Sequence, residues 1–130
     1  MKKMIATLAL LLVVMGTSVV PGAEHHVKAD LVPAGGSGVT GFVQLTQLPH
    51  GGANLLVVAK GLHPGTVYAS FYYESSDCSG PADLLGTFTG DEDGDGEAHG
   101  KIDDDLDEVG SVSVRLGPGY GDLQACATVH

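Results

Sequence analysis

Apolar and polar residues alternate along this chain in short runs, broken about every ten to fifteen residues by clusters of Gly, Pro and Asp. In Val39-Thr40-Gly41-Phe42-Val43-Gln44-Leu45 the odd positions are mostly apolar, and in Ser111-Val112-Ser113-Val114-Arg115-Leu116 the even positions are apolar throughout. A period of two offers one face of an extended strand to a core, and no stretch carries the apolar stripe of an amphipathic helix. The pattern predicts strands at Val27–Val32, Val39–Leu45, Asn54–Lys60, Tyr68–Tyr73, Leu85–Thr89, Glu97–Ile102, Ser111–Leu116 and Leu123–Val129. Eight strands suit an all-β sandwich or flattened barrel. Pro33 to Gly38 and Gly90 to Gly96 supply residues that tolerate positive φ, and both read as loops joining antiparallel strands. Asp103 to Glu108 reads as a solvated acidic crossover.

The amino terminus departs from this pattern. Met1-Lys2-Lys3 precedes an apolar run from Met4 to Met15, followed by small residues and Pro21-Gly22-Ala23. That order is the one of a cleavable signal peptide, over residues 1–23, and the run is shorter than the roughly 20 residues that cross a bilayer. Cleavage after Gly22 or after Ala23 would leave a single domain over residues 24–130, secreted, periplasmic or held in the cell envelope. No Cys follows the apolar run to accept a lipid anchor. Net charge is −10, and loss of Lys2 and Lys3 with the leader would bring it to −12. Such a surface repels nucleic acid and anionic membrane, which leaves a protein or small ligand as partner.

Cys78 and Cys126 are the two cysteines, and an oxidising compartment would let them pair. A lone catalytic or metal-ligating thiol is the alternative reading. The six histidines, at 25, 26, 50, 63, 99 and 130, are scattered through turns and termini. Either cleavage places a histidine third, His25 or His26, and an amine, two amides and an imidazole in that order form a square-planar site for Cu(II) or Ni(II). Asp91, Asp93 and Asp95 alternate as the oxygen ligands of a calcium loop do, but Ile102 stands where an EF-hand carries its bidentate Glu. The plain reading is an acidic hairpin turn. Tyr68, Phe71, Tyr72 and Tyr73 make one strand aromatic, for packing or for ligand contact. No nucleophile elbow, phosphate loop or Cys-x-x-Cys is present.

Taken in order, Gly61-Leu62-His63-Pro64-Gly65, Tyr68 to Glu74, Asp77-Cys78, Leu85 to Gly94, Ser111 to Val114 and Leu123 to Ala127 resemble the Cu/Zn superoxide dismutase family across nearly the whole domain. The resemblance implies a Greek-key sandwich and matches Cys78 and Cys126 to that family's intrasubunit disulfide. It also implies that the copper-binding histidines would fall at Phe71, Tyr73 and Arg115, and the zinc aspartate near Leu84, one step from Asp83. The loop from Ser79 to Leu84 is too short for the remaining zinc histidines, and Gly117 to Asp122 shows no catalytic arginine. Dismutation needs a redox metal held by several imidazoles. The expectation is therefore a non-catalytic domain with the family's fold: a structural or binding module, with metal handling through His25 and His26 or the Asp91, Asp93, Asp95 turn as the alternative. A dismutase with an unorthodox site is the remotest reading.

Overall fold

A computed structural model describes residues 25–130. The signal peptide expected over residues 1–23, and any free amine it would expose, lie outside the described residues. Among the described residues, eight strands form one hydrogen-bonded, antiparallel sheet that curls into a nearly closed barrel. They are β1 (His26–Pro33), β2 (Thr40–Gln47), β3 (Ala53–Lys60), β4 (Val67–Tyr73), β5 (Ala82–Thr89), β6 (Gly96–Ile102), β7 (Ser111–Leu116) and β8 (Leu123–Thr128). The strand order is β5-β4-β7-β8-β1-β2-β3-β6. Leu106–Glu108, inside the acidic crossover, adds one turn of 3-10 helix.

Alternation drives the fold. Val43 and Leu45 of β2 and Leu55 and Val57 of β3 are buried, while their polar neighbours Gln44 and Asn54 face outward. From the opposite wall Tyr68, Val112 and Val114 meet them, and Tyr68 stacks on Phe88 with ring centroids 6.0 Å apart. Side chains fill the interior, so the barrel is a core and not a channel. Each fully buried Leu contributes about 1.5–3 kcal/mol by leaving water, and truncating Leu45 to Ala would cost about 2–5 kcal/mol.

Two expectations need correcting. The loop from Gly90 to Gly96 does not join paired strands: β5 and β6 sit at opposite ends of the hydrogen-bonded order. β5 and β6 are nonetheless neighbours, the two edges that meet at the open seam of the barrel, and their connection is held by the amides of Leu62 and Gly65 donating to the carbonyls of Gly94 and Gly90, both at 2.9 Å. The acidic turn is present, with the Asp91 amide donating to the Asp95 carbonyl at 2.9 Å, but the two strands it joins share no ladder. The segment read as loop up to Leu84 is also partly strand, since β5 begins at Ala82. A bulge explains it: Ser70 pairs with Gly86 and Phe71 with Leu84, so Leu85 is an extra residue that spoils the alternation and turns inward.

Candidate functional site

Phe71, Tyr73 and Arg115, the positions to which the resemblance would assign copper ligands, lie on the outer face of β4 and β7. Register sets Phe71 opposite Ser113 and Tyr73 opposite Ser111. On an ordinary barrel wall these side chains would meet water. Here Ser111, Ser113 and Tyr73 are almost wholly buried, because the β4–β5 loop and the β7–β8 loop fold back over this face. Cys78 joins Cys126 on β8 in a disulfide and pins the first loop. Ser111 holds it as well, donating through Oγ to the Ser75 carbonyl at 2.7 Å and accepting the Cys78 amide at 2.9 Å.

Arg115 is the centre of this second layer. Its Nε donates to Tyr73 Oη at 2.9 Å, one terminal nitrogen to the Gly121 carbonyl at 3.0 Å and the other to the Cys78 carbonyl at 3.1 Å. Tyr73 Oη also lies 2.9 Å from Ser113 Oγ and 3.1 Å from Tyr120 Oη. Tyr120 meets Phe71 edge-on at 4.9 Å. Burial, and then the hydrogen bond with Tyr73, push the Tyr120 phenol above its usual range. Phe71, Tyr73 and Arg115 thus converge, but as a hydrogen-bonded, stacked cluster whose polar atoms are spent on one another and on loop carbonyls. The arrangement suits holding two loops together and does not suit ligating copper.

Asp91, Asp93 and Asp95 also come together, with one carboxylate oxygen of each within 4.8 Å of the others. Asp91 Oδ1 accepts the amides of Asp93 and Asp95 at 2.8 and 2.9 Å, and Asp95 pairs with Lys60 at 3.5 Å. These contacts shape the turn.

A cleft of about 400 Å³ opens at one mouth of the barrel, between the β4–β5 loop and the β6–β7 crossover. Tyr72 and Pro81 form its apolar walls, and Glu74, Asp83, Asp104 and Glu108 line it with no cationic side chain among its lining residues. Desolvation first, then the fields of Glu108, Asp83 and Glu74, hold the Asp104 carboxyl above the usual carboxylate range. Burial and the neighbouring Asp83 and Asp104 raise the Tyr72 phenol in the same way. Mouths of β-barrels are common ligand sites, and this concavity would favour a neutral or cationic group over an anion.

No family model and no curated protein matches this chain.

The histidines divide. His26, His50, His63 and His99 lie apart on strands and turns. His25 and His130 line one further concavity, a convergence that sequence spacing could not reveal because 105 positions separate them.

Proposed function

We propose that the chain is an exported, non-catalytic domain of the Cu/Zn superoxide dismutase type, acting as a structural or binding module outside the cytoplasm. The observation that carries this reading is the interlocking of Phe71, Tyr73, Arg115 and Tyr120. Where the resemblance would place copper-binding imidazoles, a guanidinium sits on a phenol ring and donates to a buried hydroxyl. A permanent cation repels a metal ion, Phe71 carries no donor atom, and the Tyr73 hydroxyl is already engaged by Arg115, Ser113 and Tyr120.

The electrostatics support it. Superoxide is an anion, and enzymes that handle anions gather them with positive fields. The barrel-mouth cleft is lined by four carboxylates instead. The disulfide, and the lack among the described residues of a helix long and apolar enough to cross a membrane, are compatible with an extracellular location. In this reading the core and the Arg115 cluster form a rigid scaffold, and the loops around the barrel mouth carry recognition.

The test is a dismutase assay on protein incubated with copper and zinc and freed of excess metal. Turnover no greater than that of the same buffer without protein is expected. Appreciable turnover that vanishes on chelation would overturn the reading.

A further inference from the structure

Four separate pieces of chain meet at a concavity of about 360 Å³ lined by His25, Gln47, Asp105, Leu106, Asp107 and His130. Backbone and side-chain tethers bring them there. The Gln47 amide donates to the His25 carbonyl at 2.8 Å, joining the approach to β1 to the end of β2. Gln47 Oε1 accepts the Leu106 amide at 2.7 Å, and Asp105 Oδ1 accepts the Gly52 amide and Gln47 Nε2 at 2.8 and 3.1 Å. The His130 amide donates to the Gly110 carbonyl at 3.2 Å. Two imidazoles and a carboxylate, from positions 25, 130 and 107, thereby share one wall of solvent.

We propose that His25, His130 and Asp107 bind a divalent metal ion of zinc-like character. Two imidazoles, one carboxylate and water are a donor set that zinc accepts. His130 supplies an independent sign. Its Nδ1 lies 2.7 Å from the Val109 carbonyl, and a carbonyl only accepts, so Nδ1 carries a proton and Nε2 is the nitrogen whose lone pair the neutral ring would offer. Metal-ligating histidines are ordinarily oriented by such a bond from the other ring nitrogen. Asp105 is already committed to Gly52 and Gln47, which leaves Asp107 as the free carboxylate of the cleft. The three donor atoms are not within 4.8 Å of one another, a closeness that only the Asp91, Asp93, Asp95 group has among the described residues. His25 and Asp107 are exposed, and the proposal requires these two side chains to turn toward His130 while its ring keeps the Val109 bond. The ion would tie the start of β1 to the crossover and to the residue beyond β8. None of the three residues falls at a position that the resemblance assigns to copper, so this proposal stands or falls apart from the non-catalytic reading.

Zn(II) is the probe, because it does not displace amide protons and so passes over an amino-terminal square-planar motif. Calorimetric titration of the folded protein should show one ion bound in the micromolar range, and the imidazole proton resonances of His25 and His130 should shift together. His25→Gln and His130→Gln should each weaken binding about tenfold or more, Asp107→Asn by less, and Asp93→Asn not at all. Binding no tighter than millimolar, affinity unchanged in His130→Gln, or affinity lost in Asp93→Asn would each overturn the site. Should a variant fail to fold, the resonance shifts of the unaltered protein decide: movement of neither His25 nor His130 on saturation is equally fatal.

Discussion

The guanidinium carbon of Arg115 sits 3.9 Å from the ring centroid of Tyr120, so a strand residue on β7 and a loop residue five positions later clasp each other over the outer face of the sheet. A cation over an aromatic face contributes about 0.5–2 kcal/mol, more as water is excluded. The same Arg115 holds the carbonyl of Cys78 from the other covering loop. One side chain therefore links two loops that sequence keeps far apart, and it leaves the face beneath them dry.

Removing it should loosen both. Arg115→Met deletes three hydrogen bonds and leaves the buried Tyr73 hydroxyl one donor short, at an expected cost of about 2–3 kcal/mol in urea unfolding. Arg115→Lys should rescue little, since an ammonium has no planar fork to reach three acceptors at once. Full rescue by Lys would mean that charge alone, and not the geometry of the fork, holds the loops.

The disulfide anchors the same layer from below. Its cysteines are 48 residues apart, and closing such a loop restricts the unfolded chain by roughly 4 kcal/mol in the entropy model. Paired replacement by Ser should lower unfolding free energy by about 2–4 kcal/mol. Near-ultraviolet circular dichroism should also lose intensity, because Tyr73 and Tyr120 depend on the pinned loop.

Gly41 on β2 has φ +130°, and a β-carbon there would collide with the Val58 carbonyl of β3. Both faults act together, so Gly41→Ala should destabilise by about 3 kcal/mol or more. Gly36→Ala, with open space around it, should cost well under 1 kcal/mol. Equal melting temperatures for the two variants would contradict this account of the β2–β3 pairing.

Two carboxyls of the crossover should respond oppositely to pH. Hydrogen bonds from the Gly52 amide and then Gln47 depress the Asp105 carboxyl, so its contribution is present above the unfolded-state value and is lost as pH falls through the lower folded value. Desolvation and neighbouring carboxylates raise Asp104, so its folded form favours the proton, and its contribution is lost as pH rises through the raised value. At pH 7 Asp104→Asn should therefore raise the melting temperature by about 1–2 °C, a gain that shrinks on acidification. Asp105→Asn should lower it, with the deficit shrinking at low pH. Thermal melts between pH 3 and pH 7 (a range of roughly one unit below the carboxylate region to neutrality) distinguish the two signs.

Much of the barrel can be read from alternation alone. Val43 and Leu45, or Val112 and Val114, repeat at the period of a half-buried strand, and Gly, Pro and Asp mark the turns, because these are local properties of two or four residues. Ser111 and Ser113 show where local reasoning stops. Their small polar side chains look solvent-facing, yet both are buried, because loops from residues 74–81 and 117–122 close over them. Nothing in a hexapeptide encodes a cover that arrives from elsewhere. The β5–β6 connection is similar: Asp91-Glu92-Asp93-Gly94 looks like a hairpin turn, and only the order of all eight strands shows that the strands it joins are the two edges meeting at the barrel seam without a shared ladder. The sequence by itself determined the strands, the two faces of most of them and the identity of the residues at Phe71, Tyr73 and Arg115. The tertiary structure alone decided that those three interlock, and that His25 and His130 share a cleft, since such meetings depend on how distant segments pack and not on spacing along the chain.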